Sequence, residues 1–155
     1  MKKKSVILAA GVAVALTFGA AIAQQGGNPA VNARQSVMQL YAFNLTTLGG
    51  MAQGKIDYDA AAASAAASNL AALSQMNQMA MWPGGSDNAN DPNTRALPAI
   101  WENFPDVGAK AGALVEAATA MEAAAGEGLD ALRGAMGPLG GACAACHESY
   151  RAPAN

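Results

Sequence analysis

The chain's only two cysteines and its only histidine are near neighbours, Cys143-Ala144-Ala145-Cys146-His147, close to the end of 155 residues. On a helix, positions i, i+3 and i+4 share a face, so two thiols and an imidazole are offered together to one flat ligand. The spacing is the C-x-x-C-H signature of covalent haem c attachment, in which two thiols add to two vinyl groups and the imidazole reaches iron. Other readings lack partners. A thioredoxin-type dithiol needs a βαβ setting, and alternating β-branched stretches are nearly absent. A structural zinc site usually takes four Cys or His ligands, and this chain owns three. A disulfide between cysteines three apart closes too small a loop to stabilise much.

The N-terminus is consistent with that chemistry. Lys2, Lys3 and Lys4 precede an apolar run from about Val6 to Ala21, and Ala21-Ile22-Ala23 is a small-x-small cleavage pattern. Residues 1–23 are therefore expected to be an export signal and 24–155 one mature domain. The apolar run is at the short limit for a spanning helix, and no later segment is apolar for long enough, so no stable membrane insertion is expected after cleavage. Export to the periplasm would normally pair free thiols; here a cofactor consumes both. Cleavage leaves six basic residues against eleven acids, a net charge of −5, with no basic patch for nucleic acid. Aromatic residues are only 5%, so a buried porphyrin would supply apolar area that the side chains lack.

The spacing of apolar residues predicts four helices. The first covers about Ala30 to Leu48, where Val31, Arg34, Met38, Tyr41, Leu45 and Leu48 alternate threes and fours, with Gly49-Gly50 and Gly54 expected to end it. The second starts at Asp57 or Asp59, either of which can cap it, and is expected to reach Met81. Trp82-Pro83-Gly84-Gly85 breaks the pattern, and a polar loop runs to about Thr94. The third begins near Pro98 and is interrupted at Pro105. The fourth carries Leu129, Leu132, Met136, Leu139, Cys143, Cys146 and Tyr150 on one stripe. Short turns between helices with apolar stripes predict an all-α, antiparallel four-helix bundle, with haem c attached on the C-terminal helix.

Four segments carry a family resemblance: Arg34-Gln35-Ser36-Val37-Met38, Met81-Trp82-Pro83, Leu97-Pro98-Ala99-Ile100-Trp101 and Cys143-Ala144-Ala145-Cys146-His147-Glu148-Ser149-Tyr150-Arg151. With them the mature chain resembles the class II cytochromes c, the family of cytochrome c prime and its low-spin relatives. The resemblance implies one covalently bound haem c, thioethers at Cys143 and Cys146, and His147 as the proximal iron ligand. Met38 matches the position over the distal haem face, which in the low-spin members coordinates iron and in cytochrome c prime only covers it. Arg34, one turn before Met38, is a candidate for a haem propionate, and Arg151 matches a position bordering the proximal pocket. Met76, Met79 and Met81 are expected to pack on the cofactor side, and Tyr150 and Trp82 to be core anchors.

The reading this supports is a periplasmic monohaem electron carrier with His147 and Met38 on iron. The alternative is a high-spin haem protein that binds or buffers NO or CO at an open sixth position. No catalytic residues are expected, because the sole histidine is already committed and no distal acid–base group remains. The expected partner is a redox protein. The family habit and the small residues Ala60 to Ala67 are compatible with a homodimer through the first two helices.

Overall fold

The computed structural model describes residues 27–154, so the expected export signal lies outside the described residues. The described chain is helical, with α1 at Pro29–Ala52, α2 at Ala60–Gln75, a 3-10 turn at Met79–Met81, a short α3 at Ala99–Glu102, α4 at Phe104–Ala124 and α5 at Leu129–Tyr150. Helices α1, α2, α4 and α5 form the antiparallel bundle, each packed on two of the others: α4 on α5 and α2, and α1 on α2 and α5. Among the described residues, no helix is long and apolar enough to cross a membrane.

Local chemistry sets most of the boundaries. Asn28 caps α1 by accepting from Ala30 N at 3.0 Å, and Asp59 caps α2 by accepting from Ala62 N at 2.8 Å. The glycine pair expected to end α1 does not. The helix runs through it because both glycines are packed on: a Cβ at Gly49 would lie 3.8 Å from the Met136 Cε, and one at Gly50 only 3.2 Å from Ile56. The stop comes at Gly54, whose φ of 68° is left-handed. Helix α2 ends at Gln75 rather than Met81, and the chain reaches Met81 through a separate 3-10 turn. Pro98 precedes α3, and Pro105 sits in the first turn of α4, the position where its missing N–H costs nothing.

The main core joins Val37, Tyr41 and Leu48 of α1 to Leu70 of α2, Met121 of α4, and Leu132 and Leu139 of α5. Small residues do the rest. Ala63, Ala66 and Ala67 of α2 and Ala117 and Ala118 of α4 are buried, so these two helices can approach closely. The three buried members of the run are committed to the bundle's own interior, while Ala60, Ala61, Ala62 and Ala65 stay exposed. The turn into α5 is latched by Tyr58, whose hydroxyl donates to Ala125 O at 2.8 Å and accepts from Gly128 N at 3.0 Å.

Candidate haem site

Helix α5 runs unbroken from Leu129 to Tyr150 despite Pro138 and four glycines, and thereby places Cys146 and His147 one turn after Cys143 on a shared face. All three are half-buried. Burial pushes both thiols above their ordinary value, which is the opposite of the activated, low-pKa thiolate of a redox dithiol. Burial first, then Arg151 and Arg95, lowers His147, so its imidazole is neutral near pH 7 and has a lone pair to give. Among the described residues, no three Cys, His or carboxylate side chains converge on a bare metal ion. A planar group bonded along the helix is the ligand this donor set fits.

The facing helix α1 supplies the other wall. Tyr41 is buried, its hydroxyl makes no hydrogen bond of normal geometry although the Gln78 side chain is near it, and it lies within electrostatic range of Cys143. Desolvation is the main reason its pKa is pushed up to about 12. A buried hydroxyl without a well-formed hydrogen bond is costly in a finished core, and one within electrostatic range of Cys143 fits a site built around a cofactor. Met38 is one turn earlier on the same face (i, i+3). Its side chain is 39% exposed while its neighbour Val37 is buried, so no protein group fully covers the thioether.

Arg34 is placed differently from a free propionate donor. The residue is 3% exposed. Its Nη1 donates to Met81 O at 3.2 Å and to Ser86 Oγ at 2.8 Å; its Nη2 donates to Thr94 Oγ1 at 2.9 Å and to Ser86 O. The guanidinium also stacks 4.7 Å over the Trp82 ring. Trp101 Nε1 donates to Trp82 O at 3.1 Å, and Leu97 N donates to Tyr150 O at 3.0 Å. The four motif segments thus meet at one end of the bundle, where Trp82, Trp101, Val107 and Cys146 pack around Ile100, Ala96 and Tyr150. The three methionines do not form one cluster: Met81 packs on the main core, Met76 lines a groove between α1 and α2, and Met79 is 70% exposed.

Tyr150 anchors α5 to α4 beneath the attachment site. It is 6% exposed, and its hydroxyl donates to Asp106 Oδ2 at 2.6 Å, with Lys110 Nζ 3.3 Å from the same oxygen. That bond is the main reason the phenol is pushed up to about 12. The folded chain therefore keeps a proton that the unfolded chain loses near pH 10, and stability falls as pH rises from about 10 toward about 12. Thermal melts across that range should show the loss, and Tyr150→Phe should lessen the slope, leaving the share that Tyr41 contributes over the same range, while lowering the melting temperature at neutral pH. An unchanged slope would show that the Tyr150–Asp106 bond is not what holds the proton.

A sequence model of the family described as Cytochrome C' matches residues 29–151. The chain belongs to the cytochrome c' family. Cytochrome c-554 of Cereibacter sphaeroides is 46% identical over 121 residues, spanning 78% of this chain and 79% of that protein. The solved cytochrome c' of Rhodobacter sphaeroides superposes with a TM-score of 0.79 at 37% identity, covering 81% of this chain and 96% of its own. A ferrous variant of the cytochrome c' of Alcaligenes xylosoxidans, solved with bound NO, gives a TM-score of 0.70 at 32% identity, over 81% and 94% of the two chains. As a member of the cytochrome c' family, the chain is a c-type haem protein with one covalently attached haem.

Two features went unmarked in the sequence. Asp106 carries no motif, and it is joined to Tyr150 across 44 residues. Arg95 lies in a polar loop, and only the fold brings it beside His147.

Proposed function

We propose that the protein is a periplasmic electron carrier in which His147 and Met38 are the two axial ligands of a haem bound through Cys143 and Cys146. The observation that carries this reading is the pairing of faces. Met38 shares its α1 face with Tyr41, α1 packs on α5, and Tyr41 lies within electrostatic range of Cys143. When bound, the haem supplies a one-electron couple whose ferrous form a thioether ligand favours. The chain's own residues fix the couple in place: α5 holds two sulfurs and the imidazole, and α1 presents the thioether. Arg34 would have to share a guanidinium whose terminal nitrogens already serve the loop, so its first role is to hold Met81 to Thr94 against α1.

The second reading, NO or CO binding at an open sixth position, has its own support. A relative of the same fold is solved with NO bound, and Met38 is only partly buried. Exposure of the reduced protein to CO separates the two. A carrier with both axial positions filled keeps its spectrum on mixing and changes only as fast as Met38 lets go. An immediate, stoichiometric shift would establish the gas binder.

A homodimer through α1 and α2 belongs to the same proposal. Leu40, Phe43 and Met76 border a groove of about 640 Å³ on the outer face of these helices, and Phe43 is 70% exposed. An apolar patch of this kind marks an interaction surface. Sedimentation velocity of the haem-loaded protein tests it, a monomer at micromolar concentration being the contrary result.

A further inference from the structure

We propose that the groove at the C-terminal end of α5 is where an acidic partner protein docks and where the electron passes. The inference rests on the carrier reading and adds the surface and the chemistry of the partner.

The argument starts from where the free positive charge lies. Among the described residues there are six basic side chains. Arg34 is buried. Lys110 and Arg133 are held by Asp106 at 3.3 Å and Asp130 at 3.5 Å. Of the three left, Lys55 follows α1, while Arg95 and Arg151 line one groove of about 350 Å³ together with His147. In a chain with eleven acids, both arginines near the axial ligand lack an ion-pair partner among the described residues. Glu148 is the single carboxylate among the described residues that line the groove.

The two arginines sit on a rigid support. Ala96 and Arg151 form an antiparallel bridge. Ala152 N donates to Arg95 O at 2.8 Å and Leu97 N to Tyr150 O at 3.0 Å. Arg95 Nε donates to Ala152 O at 2.8 Å, which fixes its stem and leaves Nη1 and Nη2 without hydrogen bonds among the described residues. The Arg95 guanidinium, fixed through its Nε, and the exposed Arg151 guanidinium in the same groove suit carboxylates, which guanidinium forks bind in pairs of parallel hydrogen bonds. The overall charge of this protein repels an acidic partner at long range, so the complementarity is local to the groove, where it selects the docked orientation. A partner seated there lies against the residue that holds the iron. The step is one electron from the ferrous haem to the partner's oxidised centre, with no proton or bond involved.

The test uses the haem-loaded protein, plastocyanin as an acidic one-electron oxidant, and tris(phenanthroline)cobalt(III) as a cationic one. The double variant Arg95→Gln/Arg151→Gln should slow oxidation by plastocyanin about threefold to tenfold at low ionic strength. It should not slow the cobalt complex. Arg95→Lys/Arg151→Lys should restore most of the rate, and Lys55→Gln should leave it unchanged. Titration with redox-inactive, cadmium-substituted plastocyanin should shift the amide signals of Ala144, Glu148 and Ala152. Equal slowing by Lys55→Gln would reduce the effect to net charge and overturn the proposal. So would shifts centred on Phe43 of α1. A wild-type protein that exchanges electrons with neither oxidant would overturn the carrier reading as well.

Discussion

Met38→Ala is expected to convert the ferric haem from low spin to high spin. The argument is one of supply. His147 is the only histidine, so no second imidazole can take the sixth position. Of the other described methionines, Met76 is turned to the groove between α1 and α2, Met79 is exposed, and Met51, Met81, Met121 and Met136 belong to or pack on the main core. Removing the thioether leaves a small apolar cavity with no replacement donor. The weak far-red band of methionine–iron ligation should vanish, and the reduction potential should fall by on the order of 0.1 V, a fraction of the roughly 0.8 V that axial ligands command. Rapid CO binding by the reduced variant should accompany the change. Absorption spectra and voltammetry of both proteins check it, and a variant that stays low spin would remove Met38 from the iron.

Arg34→Met should cause a large loss of stability, because Arg34 is the centre of a buried hydrogen-bond network. One side chain satisfies the carbonyls of Met81 and Ser86 and the hydroxyls of Ser86 and Thr94. Methionine keeps much of the volume and removes every donor. Buried acceptors stranded by the loss of a charged donor cost several kcal/mol, so a penalty of about 3 kcal/mol is expected, or roughly 10 °C in melting temperature for a domain of this size. Desolvation lowers the Arg34 pKa, and the nearby Asp91 and Asp87 raise it, so the charge persists at neutral pH. Arg34→Lys should rescue only part of the stability, because one ammonium cannot span four acceptors. Hydrogen exchange should show the segment from Trp82 to Thr94 loosening before the helices do. A melting temperature unchanged within a degree would mean that water satisfies these acceptors as well as the guanidinium does.

The helices and the cofactor were legible because each is written locally. The stripe Leu132, Leu139, Cys143, Cys146, Tyr150 announces α5, and the C-x-x-C-H spacing on it announces a covalent haem, while Asp59 announces the start of α2. Where the sequence misled, the deciding contact was distant. Gly49 and Gly50 read as a stop, yet Met136 from α5 and Ile56 pack on them and the helix continues. Arg34 read as a haem contact, and its partners Ser86 and Thr94 lie 52 and 60 residues away. The pairing of Arg95 with Arg151 depends on a two-residue bridge that no periodicity encodes. Met38 is intermediate: its position on α1 is readable, but whether its sulfur bonds or only covers iron is a matter of ångströms.

Magnetic circular dichroism of the oxidised wild-type protein in the near infrared is the most direct test of the account. Imidazole–thioether ligation predicts a low-spin ferric signal with the charge-transfer band typical of a sulfur-bound haem, unchanged across neutral pH. A high-spin signal lacking that band would contradict it and leave an iron open on its distal side.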